Sequence, residues 1–178
     1  MIDKPIDTII SHLRKNYFAN NSVEDSITKK KIFPTMLAFF ESHEWSYQIV
    51  EEQSLIRLMF NGNNGKWVCY ADAKEEAEQF IFYSLLSFKV PEDKRQLIAE
   101  FITRVNYGLL IGNFELDFSD GEIRYKTSID GEGTHIDTFL IKRLVYANVL
   151  TTDKYIPGFM KVIYSKFSPA EVIDEIEI

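Results

Sequence analysis

The sequence predicts an α+β fold in which an antiparallel sheet is flanked by helices, in the order α-ββββ-α-ββ-α(α). Two observations predict it. Segments with the two-residue alternation of strands follow one another along the chain, and segments with apolar residues at helical spacing divide them into two groups. Runs of strands separated by helices are typical of α+β folds, and not of doubly wound parallel sheets.

The clearest element is a helix followed by a hairpin. The helix begins near Pro91, whose missing N–H costs nothing at a first helical position, and ends at Gly108, a residue type that commonly terminates helices. Two-residue alternation predicts strands over 114–118 and 123–129, joined by a turn at Ser119-Asp120-Gly121. The outward positions carry opposite charges: Glu115 and Asp117 on one strand, Arg124 and Lys126 on the other.

The other elements follow from the same two periodicities. Apolar spacing predicts a helix over 31–44, and Asn61-Gly62-Asn63-Asn64-Gly65 is typical of a turn between strands. The remaining predicted strands cover residues 45–51, 54–60, 66–72 and 79–88.

The end of the chain is predicted to be helical in three pieces. A helix runs to about Leu150, Thr151-Thr152-Asp153 interrupts it, and a second piece runs from near Pro157 to Phe167. Ser168-Pro169-Ala170-Glu171 is a capping box with proline at the first helical position, so it starts a last short helix.

The fourth predicted strand is apolar on both sides, whereas an antiparallel strand normally has one solvated side. Either helices on both sides or a subunit interface would cover it. We predict a homodimer or partner surface at this strand, the alternative being a central strand covered by helices. The candidate residues are Phe80, Phe82, Tyr83, Leu85, Leu86 and Phe88.

Composition limits the organisation and the location of the protein. The 178 residues, 46% of them hydrophobic, predict one domain over 25–178, preceded by an N-terminal helical extension and linker over 1–24. The single cysteine, Cys69, excludes an intramolecular disulfide and favours a cytoplasmic location. No apolar run approaches the ~20 residues that span a bilayer, so we predict no membrane partner.

The charge distribution argues against nucleic acid as a partner. The net charge is −7: residues 1–31 hold six Lys/Arg against four Asp/Glu, and the remainder holds 14 against 23. An acidic body repels phosphate backbones. The basic run Lys29-Lys30-Lys31 is interpreted as a solvated helix start or loop, with an anion-binding role as the alternative.

Catalytic motifs are absent from the sequence. It contains neither a Gly-x-Ser-x-Gly elbow nor a phosphate-binding loop, and Cys69 lies in an alternating strand that predicts a buried thiol. We therefore predict a non-enzymatic protein with no catalytic residue, metal or cofactor. One alternative stays open, a small-ligand or metal-dependent sensor or enzyme that uses the 130–137 loop. Its candidate ligands are Asp130, Glu132, His135 and Asp137.

Three stretches resemble the YbjN family: FESHEW at 40–45, FITRVNYGLLIGNFELDFSDGEIRYKTSID at 101–130 and LVYANVLTTDKYIPGFMKVIYSKFSPAEVIDEIE at 144–177. The resemblance covers about residues 28–177. It implies a curved antiparallel sheet similar to that of type III secretion chaperones, commonly dimeric, with no catalytic centre, in a family linked to stress response and motility regulation. We therefore expect a chaperone-like or regulatory protein that binds a polypeptide partner and forms a homodimer.

Overall fold

The computed structural model describes residues 32–51 and 54–177. The predicted extension over 1–24 and the basic run at 29–31 lie outside these residues. Four helices occur in the predicted order: α1 Ile32–Ser42, α2 Arg95–Gly108, α3 Thr138–Tyr164 and α4 Pro169–Ile176, with a short 3-10 helix at Glu92–Lys94. Six strands accompany them: β1 Tyr47–Glu51, β2 Leu55–Asn61, β3 Lys66–Lys74, β4 Gln79–Lys89, β5 Asn113–Leu116 and β6 Glu122–Asp130. None of the described helices is both long enough and apolar enough to cross a membrane.

The strands form one antiparallel sheet in the order β1-β2-β3-β4-β6-β5. Buried residues alternate with half-buried ones along β4 and along β6, so the described part of the chain covers one face of the sheet more fully than the other. The helices pack on the covered face. On it, the Phe40 ring of α1 stacks on Phe82 of β4 at 6.3 Å between centroids, and Phe101 of α2 meets Phe159 of α3 edge to face at 5.0 Å. The prediction of an α+β fold is confirmed.

Helix α3 is continuous, so the predicted interruption at 151–153 is wrong. Thr152 and Asp153 are buried inside the helix. The Asp153 carboxylate accepts hydrogen bonds from the backbone N–H groups of Asn63, at 3.0 Å, and Asn64, at 2.8 Å. Asp153, which disfavours a helix locally, therefore lies inside one, because its carboxylate holds the turn between β2 and β3.

The same turn compensates for the proline inside α3. Pro157 has no N–H to donate to the carbonyl of Asp153, four residues earlier. The side-chain amide of Asn64 donates to that carbonyl instead, at 3.0 Å. A Cβ on Gly62 would lie 2.2 Å from Oδ1 of Asp153, so only glycine allows the turn to approach the helix this closely.

The hairpin has the predicted turn but a shorter first strand. Gly121 has φ of 82° and its N–H donates to the carbonyl of Asp117 at 2.8 Å, as the Asp-Gly signal predicts. β5 ends at Leu116, and Phe118 is 49% exposed. The Asp117 carboxylate accepts from the backbone N–H of Ser119 and takes no part in the expected cross-strand pairing.

Carboxylates cap three of the helices. Glu75, in the loop between β3 and β4, accepts from the N–H groups of Ile32 and Phe33 at the start of α1. Asp137 accepts from the N–H of Leu140 at the start of α3, at 2.8 Å. The predicted capping box at α4 is confirmed: the Glu171 carboxylate accepts a hydrogen bond from the Ser168 N–H. Satisfied N–H groups and favourable interaction with the helix dipole define where these helices begin.

Candidate functional site

The most distinctive surface is the sheet face that points away from the helices, here termed the open face. No helix within residues 32–51 and 54–177 packs on it. Strand register places its side chains in rows that run across the strands. The first row is Met59, Val68, Leu85, Arg124 and Glu115, and the second is Arg57, Tyr70, Tyr83 and Lys126.

The first row borders a groove with a volume of about 990 Å³. Met59, Val68 and Leu85 supply its apolar lining, and the side chains of Lys66 and Lys89 contribute positive charge. Met59 is 52% exposed, although it lies in the middle of β2. An apolar concavity with a few charged groups around it is the usual form of a protein-binding groove.

At the β6 end of both rows, the carboxylate of Glu115 forms ion pairs with two cations. Glu115 accepts from Nε of Arg124 at 2.6 Å and from the Lys126 ammonium. Burial by itself would raise the pKa of Glu115, but the hydrogen bonds from Lys126, Arg124 and Asn113 outweigh it and lower that pKa. The Arg124 guanidinium also lies 4.9 Å above the centre of the Tyr83 ring. Arg124 and Lys126 therefore share a single carboxylate, and Arg124 also lies over an aromatic ring.

The other end of the second row holds a cation, Arg57, for which the described part of the chain provides no ion pair. Arg57 is half-buried beside Tyr70, and it makes no ion pair with any residue that the structure describes. Asp72, one row away, is paired with Lys74 at 2.7 Å. Within the described part of the chain, Arg57 is therefore a cation of the open face that pairs with no carboxylate.

The structure separates the six residues predicted for a dimer or partner surface. Phe80, Phe82 and Leu86 are buried on the covered face, with exposures of 0%, 0% and 7%. Phe88 is half-buried, packs against the core and also lines the groove. Only Tyr83 and Leu85 lie on the open face. The homodimer remains a prediction.

Sequence reasoning missed the neighbours of Tyr83 and Leu85. Met59, Val68, Tyr70 and Arg57 lie on β2 and β3, whose sequences are typical of strands with one apolar side. Alternation indicates which residues of one strand share a face. It does not indicate that the open faces of three strands align in register, because that depends on the bulge and turn between each pair of strands.

The polar residues of the 130–137 loop act within the loop itself. Asp130 accepts from the Glu132 N–H at 3.0 Å, Asp137 caps α3, and His135 is exposed. Among the described residues there is no group of three or more His, Cys, Asp or Glu that could hold a metal ion. The loop is therefore accounted for by turn and cap hydrogen bonds.

The thiol of Cys69 is buried, as predicted. Burial raises its pKa to about 12, although hydrogen bonds from Ser84 and Trp67 act in the opposite direction. At neutral pH this thiol is therefore protonated, which disfavours its use as a nucleophile.

A solved structure shares this architecture. The crystal structure of YbjN from E. coli, "a putative transcription regulator", has a TM-score of 0.53 at 13% sequence identity, over 67% of this chain and 84% of that one. Two further similarities have scores too low to establish a shared fold. They are to a chain of the HopA1–SchA chaperone–effector complex (TM-score 0.45, 16% identity, 66% and 87% of the two chains) and to one of the ExsC–ExsE complex (0.47, 12%, 71% and 94%). No curated protein sequence matches the chain.

A family model supplies the assignment. The model of the YbjN family, described as "putative bacterial sensory transduction regulator", matches residues 35–160, which is more than half of the chain. This match spans α1, all six strands, α2 and most of α3. The chain therefore belongs to the YbjN family, as its FESHEW and helix–hairpin stretches indicated.

Proposed function

We propose that this chain is a non-enzymatic, chaperone-like or regulatory protein that holds a polypeptide segment on the open face. The observation that supports the proposal is the groove on the open face, which Met59, Val68 and Leu85 of one row line at the end of the strands near the β2–β3 turn. Apolar surface of this kind gains about 25 cal/mol for each Å² that a partner removes from water. Tyrosine and arginine, which flank the row, are enriched at protein interfaces.

The shape of the face suits a polypeptide. An extended segment or one face of a helix could lie along the open face, with side chains that reach both rows. The YbjN family and the E. coli protein of known structure are both described as regulators, the first of sensory transduction and the second of transcription. A regulator that acts by binding a signalling protein would use such a surface.

Two predictions from the sequence belong to the same proposal. We infer a cytoplasmic location, for which the single free thiol of Cys69 is the supporting observation. We also infer a homodimer. Light scattering at micromolar concentration is expected to give twice the chain mass of 20.8 kDa, and the monomer mass would contradict the dimer.

Site-specific photo-crosslinking tests the binding surface. Benzoylphenylalanine placed at Val68 in the groove is expected to give a discrete crosslinked product in cells, whereas the same residue at Lys142, exposed on α3, is expected to give none. The crosslinked polypeptide is identified by mass spectrometry and purified. Calorimetry then measures its affinity for the wild type and for Leu85→Glu, which places a charge in the groove. Loss of the Val68 product, or unchanged affinity in Leu85→Glu, would overturn the proposal.

A further inference from the structure

We propose that the open face selects an acidic polypeptide segment that also carries apolar side chains. The inference rests on the proposed function and adds the chemistry of the partner. It begins from a charge asymmetry. Residues 32–178 carry 14 Lys/Arg against 23 Asp/Glu. The two middle rows of the open face reverse this balance, with three cations, Arg57, Arg124 and Lys126, and one carboxylate, Glu115.

These cations keep hydrogen-bonding capacity for a partner. Arg57 has no ion pair among the described residues, and Arg124 and Lys126 divide one carboxylate between them. The Arg124 side chain is 43% exposed. Guanidinium groups present several donors in a planar arrangement that matches a carboxylate, and such charge-assisted bonds are stronger than neutral ones.

The row of Met59, Val68 and Leu85 requires that the partner also carry apolar side chains. Arg57 and Met59 are two residues apart on the same face of β2, so the two rows lie about 7 Å apart along the strands. The first row, with its apolar residues, and the second row, with Arg57 and Lys126 at its ends, therefore lie side by side across β2, β3, β4 and β6. A segment with carboxylates along one side and apolar side chains along the other would fill both.

Other occupants fit these observations less well. Tyr70 and Tyr83 between basic residues could stack single-stranded bases, but the adjacent row of Met59, Val68 and Leu85 offers aliphatic side chains, which match the apolar side chains of a polypeptide and give no stacking surface for bases. The N-terminal 31 residues of this chain carry a net positive charge, with six Lys/Arg against four Asp/Glu, so the basic rows would repel them.

Three matched peptides test the inference. Short fluorescein-labelled peptides share the same leucine positions and carry Glu, Gln or Lys at the positions between them. Fluorescence anisotropy with the full chain is expected to show the Leu/Glu peptide binding about tenfold more tightly than the Leu/Gln peptide, with no binding of the Leu/Lys peptide. This preference is expected to weaken as salt is added, because exposed charges are screened.

Variants locate the preference on the open face. Arg57→Gln is expected to remove most of the advantage of the Leu/Glu peptide, whereas Arg104→Gln, which removes an exposed arginine from α2, is expected to leave it unchanged. Leu85→Glu is expected to abolish binding of both peptides. Circular dichroism and urea unfolding confirm that each variant is folded.

The outcomes separate this inference from the proposed function. Equal binding of the Leu/Glu and Leu/Gln peptides, lost in Leu85→Glu, would overturn the preference for acid and leave a polypeptide-binding face. Absence of binding by all three peptides would also overturn it, and the crosslinking at Val68 decides the proposed function separately. A labelled oligo-dT strand that binds and is released by Arg57→Gln would assign the face to nucleic acid. A dimer that Leu85→Glu converts to a monomer would assign it to a second copy.

Discussion

Two neighbouring residues of β4 show how differently the two faces of one sheet are used. Phe82 is completely buried against Phe40 of α1, and its backbone carbonyl accepts from the side chain of Asn148 in α3 at 3.0 Å. Tyr83 is half-buried, and its partner is the Arg124 guanidinium on the next strand. Both sides of β4 are apolar, so the residue types of the strand do not distinguish core from surface. The difference lies in what packs against each side.

The hydrogen bonds and ion pairs of the sheet also differ between its covered face and its open face. On the covered face, the amide of Asn148 donates to the carbonyls of Phe82 and Tyr125 and to the hydroxyl of Thr127, and Trp67 donates to Ser84. These bonds lie inside the core, where an unpaired donor is costly. On the open face, the charged groups pair across strands at the surface, where water can replace any partner. The covered face is therefore expected to contribute most of the stability, and the open face most of the recognition.

The largest expected effect tests this contrast directly. Phe82→Ala should lower the free energy of unfolding by about 3–5 kcal/mol, because it leaves a cavity beneath α1 and α3. Tyr83→Ala, one residue away, should lower it by about 1 kcal/mol or less, because solvent already reaches that side chain. Urea unfolding followed by circular dichroism measures both. Equal losses would show that a tightly packed layer covers the open face as well.

A second prediction concerns the hydrogen bonds that join α3 to the turn between β2 and β3. Asp153→Ala should cost about 2–3 kcal/mol, because two backbone N–H groups of the β2–β3 turn lose a buried, charged acceptor. Asp174→Ala, in the exposed part of α4, is the matched control and should change stability by less than about 0.5 kcal/mol. A loss at Asp153 no larger than that of the control would contradict the role of this carboxylate.

A third prediction concerns the Asn64 amide, which replaces the helical hydrogen bond that Pro157 cannot donate. The expected loss of stability is smaller, but it should depend on whether residue 157 is proline. Asn64→Ala should cost about 1 kcal/mol in the wild type, because the carbonyl of Asp153 loses its donor. In a Pro157→Ala background the new N–H can satisfy that carbonyl, so the same change should cost close to nothing. Chemical denaturation of the four proteins measures the coupling. Additive losses would show that the Asn64 amide does not replace the missing helical hydrogen bond.

The smallest effect lies on the open face and depends on pH. Because the pKa of Glu115 is lowered in the folded protein, its stabilising contribution is present above the ordinary glutamate pKa of about 4.3 and is lost as the pH falls through the lowered value. Glu115→Gln should therefore cost less than about 1 kcal/mol at pH 7, since the pair is partly solvated. The difference from the wild type should vanish in acid. Unfolding curves from pH 7 down to acid measure it, with Glu100→Gln as an exposed control on α2. A difference that persists unchanged in acid would assign the effect to packing instead of charge.

Much of the fold could be predicted because its signals are local. The Asp-Gly turn at Gly121 and the capping box at Ser168 depend on residues within a few positions of each other, and both are confirmed. The continuity of α3 could not be predicted in this way. It depends on Asp153 meeting Asn63 and Asn64, about ninety residues earlier, whereas the local sequence of threonine, aspartate and proline disfavours a helix.

The candidate site could be predicted only in part, because the sequence of β4 does not separate surface residues from core residues. The two-sided apolar character of β4 marked Tyr83 and Leu85, but it marked Phe80, Phe82 and Leu86 equally, and these three are core residues. Arg57 and Met59 gave no signal of their own. They become part of a surface only when β2, β3, β4 and β6 align.

The sequence by itself determined the type and order of the elements, the turns and caps that separate them, and the family. These depend on backbone preferences and on periodic burial, which act over a few residues. The tertiary structure decided which face of the sheet the helices cover, that α3 continues through Pro157, and that cations of β2 and β6 lie on the same open face. These depend on the packing of residues far apart in the chain, where a single contact can outweigh a local preference of about 1 kcal/mol for each residue.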